Sequence, residues 1–156
     1  MMEEMSDLIA KNSLFAGLPD STIELAVGCA QNVAFEPGAR ILVEGEPADT
    51  LYLLRRGRVA LQVQRPSGKP LVIETIGPNS VLGWSWLVPP YRWQFDGVAI
   101  DPVGAVAIDG TCLRAKADAD PVFGYALLKR ISGVLLSRLQ STRVRLLDLY
   151  GHSLDD

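Results

Sequence analysis

Residues 77–101 hold most of the side chains with which this chain could grip a small molecule. All three tryptophans, Trp84, Trp86 and Trp93, lie there with Ser85, Tyr91, three prolines and one arginine, Arg92. The run fits neither strand alternation nor a helical period. Loops seldom carry so much aromatic surface unless they are folded into something, and such loops are where function usually sits. The stretch therefore reads as a ligand cradle, or the descendant of one, with rings that either stack on a flat ligand or fill its place.

Reactive chemistry is thin by comparison. The one histidine, His152, falls after the last helical leucine and reads as an exposed tail imidazole, so no metal triad can be assembled. No Ser-His-Asp set, phosphate-cradling lysine loop or Gly-x-Gly-x-x-Gly run is present. Cys29 and Cys112 are far apart and lack metal-ligand spacing, which predicts two unlinked, buried small hydrophobes in a reducing cytosol. Asp101-Pro102 and Asp109-Gly110 read as turns. An enzyme finds no residues to support it.

The length, 156 residues, suits one domain, and the formal net charge of -3 argues against a nucleic-acid surface. The N-terminal residues are acidic rather than signal-like, and no apolar run reaches the roughly 20 residues of a membrane helix. These features predict a cytoplasmic protein that contacts neither membrane nor DNA.

The elements around the loop follow from periodicity. Leu8 to Phe15 is a short amphipathic segment, and Ile23 to Ala30 reads as a helix capped by Asp20 or Ser21, with Glu24 at capping-box spacing from Ser21. From Val33 the period changes to two: strands near 33–35, 41–43, 51–54, 59–63, 71–76, 98–100 and 103–108 are separated by Gly/Pro turns. Val59, Leu61 and Val63 alternate cleanly with Ala60, Gln62 and Gln64. Pro121, in the preferred first helical position behind Asp118 or Asp120, opens a long apolar stripe from Phe123 to Leu149. Gly124 and Gly133 mark a break in that helix or a close contact. Its other side, with Lys129, Arg130, Arg138, Arg143 and Arg145, reads as an exposed basic face. The fold class is mainly β with flanking helices: N-terminal helices in 1–31, a jelly-roll barrel in 32–117 with the loop 77–101, and C-terminal helices in 118–150. One barrel cannot cover the whole stripe, so a homodimer along the last helix is expected.

The order of elements, with Leu14-Phe15-Ala16-Gly17-Leu18, Phe35-Glu36-Pro37-Gly38 and the run from Val43 to Val59, resembles the cyclic-nucleotide-binding domain of the catabolite activator (Crp/Fnr) superfamily. The resemblance implies a regulatory module that binds cyclic AMP, cyclic GMP or another small ligand, needs no other cofactor, and acts through a partner protein or its dimer interface. It also implies a phosphate-binding cassette: a Gly-Glu pair, then Arg-Ser-Ala, around the cyclic phosphate and ribose. Gly83 matches the glycine, but Trp84 stands at the glutamate, with Ser85 beside it. Counting back from Ala99-Ile100-Asp101-Pro102, the arginine position falls at Trp93 or Gln94, and Arg92 comes one or two residues early. Thr142 matches the threonine that reaches the base, with Arg143 next to it. Such departures weaken cyclic AMP binding by about 10²–10⁵-fold unless Arg92 reaches the phosphate. Three readings stay open: retained binding through Arg92, a pocket altered for a different small molecule, or a ligand-free interaction domain plugged by tryptophan. The helix-turn-helix that DNA-binding relatives carry after the long helix is not expected here.

Overall fold

The computed structural model describes residues 4–155, with side chains through Gly151; His152 lies beyond the described side chains. Two short helices, α1 (Met5–Lys11) and α2 (Asp20–Val27), lead into eight strands. These are β1 (Ala30–Phe35), β2 (Arg40–Leu42), β3 (Thr50–Arg56), β4 (Val59–Val63), β5 (Leu71–Ile76), β6 (Val81–Leu82), β7 (Asp96–Ala99) and β8 (Val103–Asp109). Helices α3 (Gly110–Ala119) and α4 (Pro121–Asp155) follow. The strands form two antiparallel four-stranded sheets, ordered β1-β8-β3-β6 and β2-β7-β4-β5. This is the jelly roll that the short strands and Gly/Pro turns predicted.

The first sheet is covered on both faces, and its sequences say why. In β3, Leu51 and Leu53 point to a core shared with the helices, while Tyr52 and Leu54 point between the sheets. In β8, Val106 and Ile108 serve the helical core, and Val103 and Ala105 the core between the sheets. A strand buried on both faces needs a near-continuous apolar run rather than alternation. The molecule is therefore layered: helices, sheet, sheet. In the second sheet β5 is an edge strand, and its Leu71, Val72 and Ile73 are exposed. Ala60 of β4, expected outside, is buried because the strand is central and flanked by Val98 of β7 and Thr75 of β5.

Several sequence expectations are corrected by the structure. Cys29 and Cys112 form a disulfide, with Cα atoms 5.8 Å apart, inside the ordinary range. Their sequence separation of 83 misled; the register of β1 on β8 sets Ala30 opposite Ile108, which brings the residues just beyond each strand together. Helix α2 begins behind Pro19 with no side-chain cap, and Ala30, expected to end it, opens β1. Asp109-Gly110 is a helix start, not a turn: Asp109 accepts from the Cys112 N–H at 2.9 Å and caps α3, so the barrel ends before residue 117. Helix α4 runs through Gly124 and Gly133 without a break. Gly124 marks a close contact, since a Cβ there would sit 2.8 Å from the Ala117 carbonyl oxygen. Arg138 does not belong to the exposed basic face; its side chain is 15% exposed.

Candidate ligand site

The loop after β6 threads both cores. Gly83 turns the chain with φ +90°, a conformation nearly closed to other residues. Trp86 then inserts fully into the helical core, and its indole Nε1 donates to the Gly83 carbonyl at 3.1 Å. Trp93 inserts into the core between the sheets. Its ring lies so close to Gly83 that a Cβ there would meet the Cη2 carbon at 2.7 Å. Gly83 is thus clamped between two indoles, one holding its oxygen and one covering its α-carbon.

The returning limb of the loop pairs with the β2–β3 turn. The Trp93 N–H donates to the Glu46 carbonyl at 3.0 Å, Gly45 N–H to Trp93 at 2.9 Å, and Ala48 N–H to Tyr91 at 2.7 Å. Arg92 joins this ladder from outside, donating to the Gly45 carbonyl at 2.9 Å, and stays exposed. From α3, Arg114 lies 4.2 Å over the Tyr91 ring and donates to the Trp86 carbonyl. The base of the limb is pinned by Asp96, 2% exposed, which accepts from the Glu44 N–H at 2.8 Å, Gln64 at 2.8 Å and Arg40 at 3.1 Å. Burial alone would raise the Asp96 pKa, but these donors outweigh it and hold the carboxyl below its ordinary value.

Trp84 turns the other way, toward α4, where the Arg138 guanidinium stacks 4.5 Å from its ring centre. Arg138 also donates to the Val81 carbonyl and faces Glu74 of β5 at 4.0 Å. One of its terminal nitrogens, Nη1, is buried with no partner. Burial pushes the Arg138 pKa down, and the Glu74 charge acts against that. Beside it a cleft of about 440 Å³ opens between β5, β6, α4 and the segment after α1, lined by Ser13, Glu74, Ser80, Ser137, Arg138 and Ser141 among others.

The predicted site residues are not gathered into one place. Gly83, Trp84, Ser85 and Trp93 share the loop, but Trp84 and Trp93 face different cores. Arg92 points away from both. Thr142 and Arg143 are exposed on α4, and the Thr142 hydroxyl donates back to the Arg138 carbonyl at 2.9 Å. Sequence reasoning missed Arg138 and Glu74 as a facing pair. The signal that could have found Arg138 is its spacing on the apolar side of α4, seven residues after Ile131 and four after Val134. Among the described residues no group of three His, Cys, Asp or Glu is placed to hold a metal, and no helix is long and apolar enough to cross a membrane.

A two-sheet jelly roll with leading helices, a glycine-turned loop after β6 and a long final helix is an architecture this chain shares with cyclic-nucleotide-binding domains. The family model for the cyclic nucleotide-binding domain matches residues 32–120, and the chain belongs to that family. It is 30% identical over 145 residues to the CRP-like cAMP-activated global transcriptional regulator of Mycobacterium tuberculosis, covering 93% of this chain and 63% of that protein. The chain thus spans under two thirds of that regulator's length. A structure from Geobacter metallireducens, described as a cyclic nucleotide-binding protein, superposes with TM-score 0.78 at 27% identity, covering 88% of this chain and 99% of that one. The catabolite activator protein of Thermus thermophilus shares the fold, with TM-score 0.70 at 22% identity over 89% of this chain and 63% of that chain.

Proposed function

We propose that this chain is a regulatory binding module of the cyclic-nucleotide type in which the phosphate cradle is closed, so that cyclic AMP and cyclic GMP bind weakly or not at all. The observation that carries the reading is the Trp93 ring packed on Gly83, together with Arg92 engaged on the Gly45 carbonyl. A cyclic phosphate at that turn would have to displace a buried indole, and no free guanidinium meets it. The ligand that such a module senses has its best remaining place in the cleft beside Arg138, whose unpartnered nitrogen suits an acceptor oxygen. Output runs through α4, to a second copy or to a partner protein.

The test is thermal unfolding against cyclic mono- and dinucleotides up to millimolar concentration. Ligand at 100 times Kd stabilises by about 2.7 kcal/mol, or roughly 5–10 °C here. The proposal expects shifts below about 1 °C with cyclic AMP and cyclic GMP. A shift of several degrees, lost in Arg92→Ala, would mean that the loop opens and that Arg92 takes the phosphate after all. A second reading, an interaction domain that binds no ligand, is favoured by the same Trp93 contact. It expects Arg138→Ala to leave all small-molecule responses absent, as they are in the parent protein.

A further inference from the structure

We infer that Cys29 and Cys112 form a reversible thiol–disulfide site whose state sets the order of α3 and, through Arg114, of the 83–92 loop. The bond adds a covalent tie where the β1–β8 ladder already sets the two segments side by side, the Asp109 N–H donating to the Cys29 carbonyl at 2.9 Å. Cys29 follows the end of α2 and immediately precedes β1, while Cys112 sits in the first turn of α3, three residues beyond the Asp109 cap. Both residues are half-buried and line an open surface groove of about 420 Å³ with Gly28, Gln31, Thr50 and Asp109, so a reductant can reach them. The reduced form has somewhere to go: the Cys29 sulfur lies 3.8 Å from the Leu25 carbonyl oxygen, an acceptor for a thiol though not for a disulfide.

Helix α3 is the lever between this bond and the loop. Its first residue, Gly110, donates to the Asp49 carbonyl at 2.7 Å and lies where a Cβ would meet the Trp86 Cβ at 2.7 Å. Two residues past Cys112, Arg114 grips Tyr91 and the Trp86 carbonyl. The same helix meets α4 at Ala117 and Gly124. Fixing the first turn of α3 covalently therefore fixes the donor that holds both limbs of the loop.

The exchange balances with a dithiol as co-reactant. Its thiolate attacks the Cys29 sulfur, forming a mixed disulfide there and breaking the Cys29–Cys112 bond. Cys112 leaves as the thiolate and then takes a proton. The second thiol of the reductant attacks the mixed disulfide, releasing Cys29 as a thiol and the reductant as its own disulfide. Two electrons and two protons pass to the protein. The reverse reaction uses the oxidised form of the same class of reagent.

The experiment counts thiols and reads amide hydrogen exchange on the intact chain, oxidised, reduced with dithiothreitol, and reoxidised. Expected are no thiols in the denatured oxidised protein and two after reduction under native conditions. Exchange should rise about tenfold or more in residues 83–92 and 110–119 on reduction and return on reoxidation. Melting should fall by about 5–10 °C on reduction. The Cys29→Ser, Cys112→Ser double variant should match the reduced protein and ignore the reductant. Two free thiols after air oxidation, a bond that dithiothreitol cannot open in the folded protein, or unchanged exchange in 83–92 would each overturn the proposal.

Discussion

At the scale of single residues, the three tryptophans that look alike in sequence have three different energetic roles. Trp86 is wholly buried, so Trp86→Ala should destabilise by about 3–5 kcal/mol in urea unfolding. Trp84 is half-buried under Arg138, and Trp84→Ala should lose only about 1–2 kcal/mol, the sum of partial burial and a cation–π contact. Equal losses at the two positions would contradict the packing described here. Asp96 gives a pH signature. Its pKa in the folded state lies below the unfolded value, so its contribution is present above the unfolded pKa, near 4, and is lost as pH falls through the lower folded value. Wild-type stability should therefore drop more steeply below about pH 4 than that of Asp96→Asn, which should itself lose about 1.5–3 kcal/mol at neutral pH. None of these roles was legible beforehand. Trp84, Trp86 and Trp93 sit in a stretch without period, and only the pairing of 91–93 with the β2–β3 turn decides which core each ring enters. What could be read was Gly83, through its match to the glycine of the family's cassette, and its φ of +90° is the reason glycine stands there.

At the scale of elements, the sequence was most informative where period and turn chemistry agreed. Strand β5 was bounded correctly at Leu71 and Ile76, since a Pro/Gly loop stands before it and Gly77 after it. Helix α3 was lost because Asp109-Gly110 carries both turn and cap chemistry, and its short apolar face shows little stripe. The disulfide was hidden for a related reason: strand register, not residue spacing, brings Cys29 to Cys112. The glycines of α4 now separate into two kinds. Gly133 faces open space, so Gly133→Ala should stabilise by about 0.5–1 kcal/mol through helix propensity alone. Gly124 lies against the backbone of Ala117, and Gly124→Leu should destabilise by about 1–3 kcal/mol as α4 is forced off α3. Opposite signs in thermal unfolding would confirm that only Gly124 is a packing contact.

At the scale of the whole molecule, α4 runs well past the residues it buries. Its 35 residues extend about 52 Å, and full burial ends at Ile131. A heptad runs along the helix and past that point, with Leu128, Leu135 and Thr142 at one seam position and Ser132, Leu139 and Leu146 at the other, four leucines and two small polar residues. The four leucines are between 38% and 52% exposed. Water-facing leucines at coiled-coil spacing are stable when a second helix covers them, and the same sequence on a second copy offers the same spacing. Thr142, the residue matched to ligand recognition, falls on this seam, which would couple a ligand in the Arg138 cleft to the partner helix. The expected state at micromolar concentration is therefore a dimer in sedimentation velocity. Leu139→Glu with Leu146→Glu should convert it to a folded monomer whose urea unfolding no longer depends on protein concentration, since these side chains touch little within their own chain. A wild-type protein that sediments as a clean monomer at that concentration would rule out the seam as a stable contact between copies.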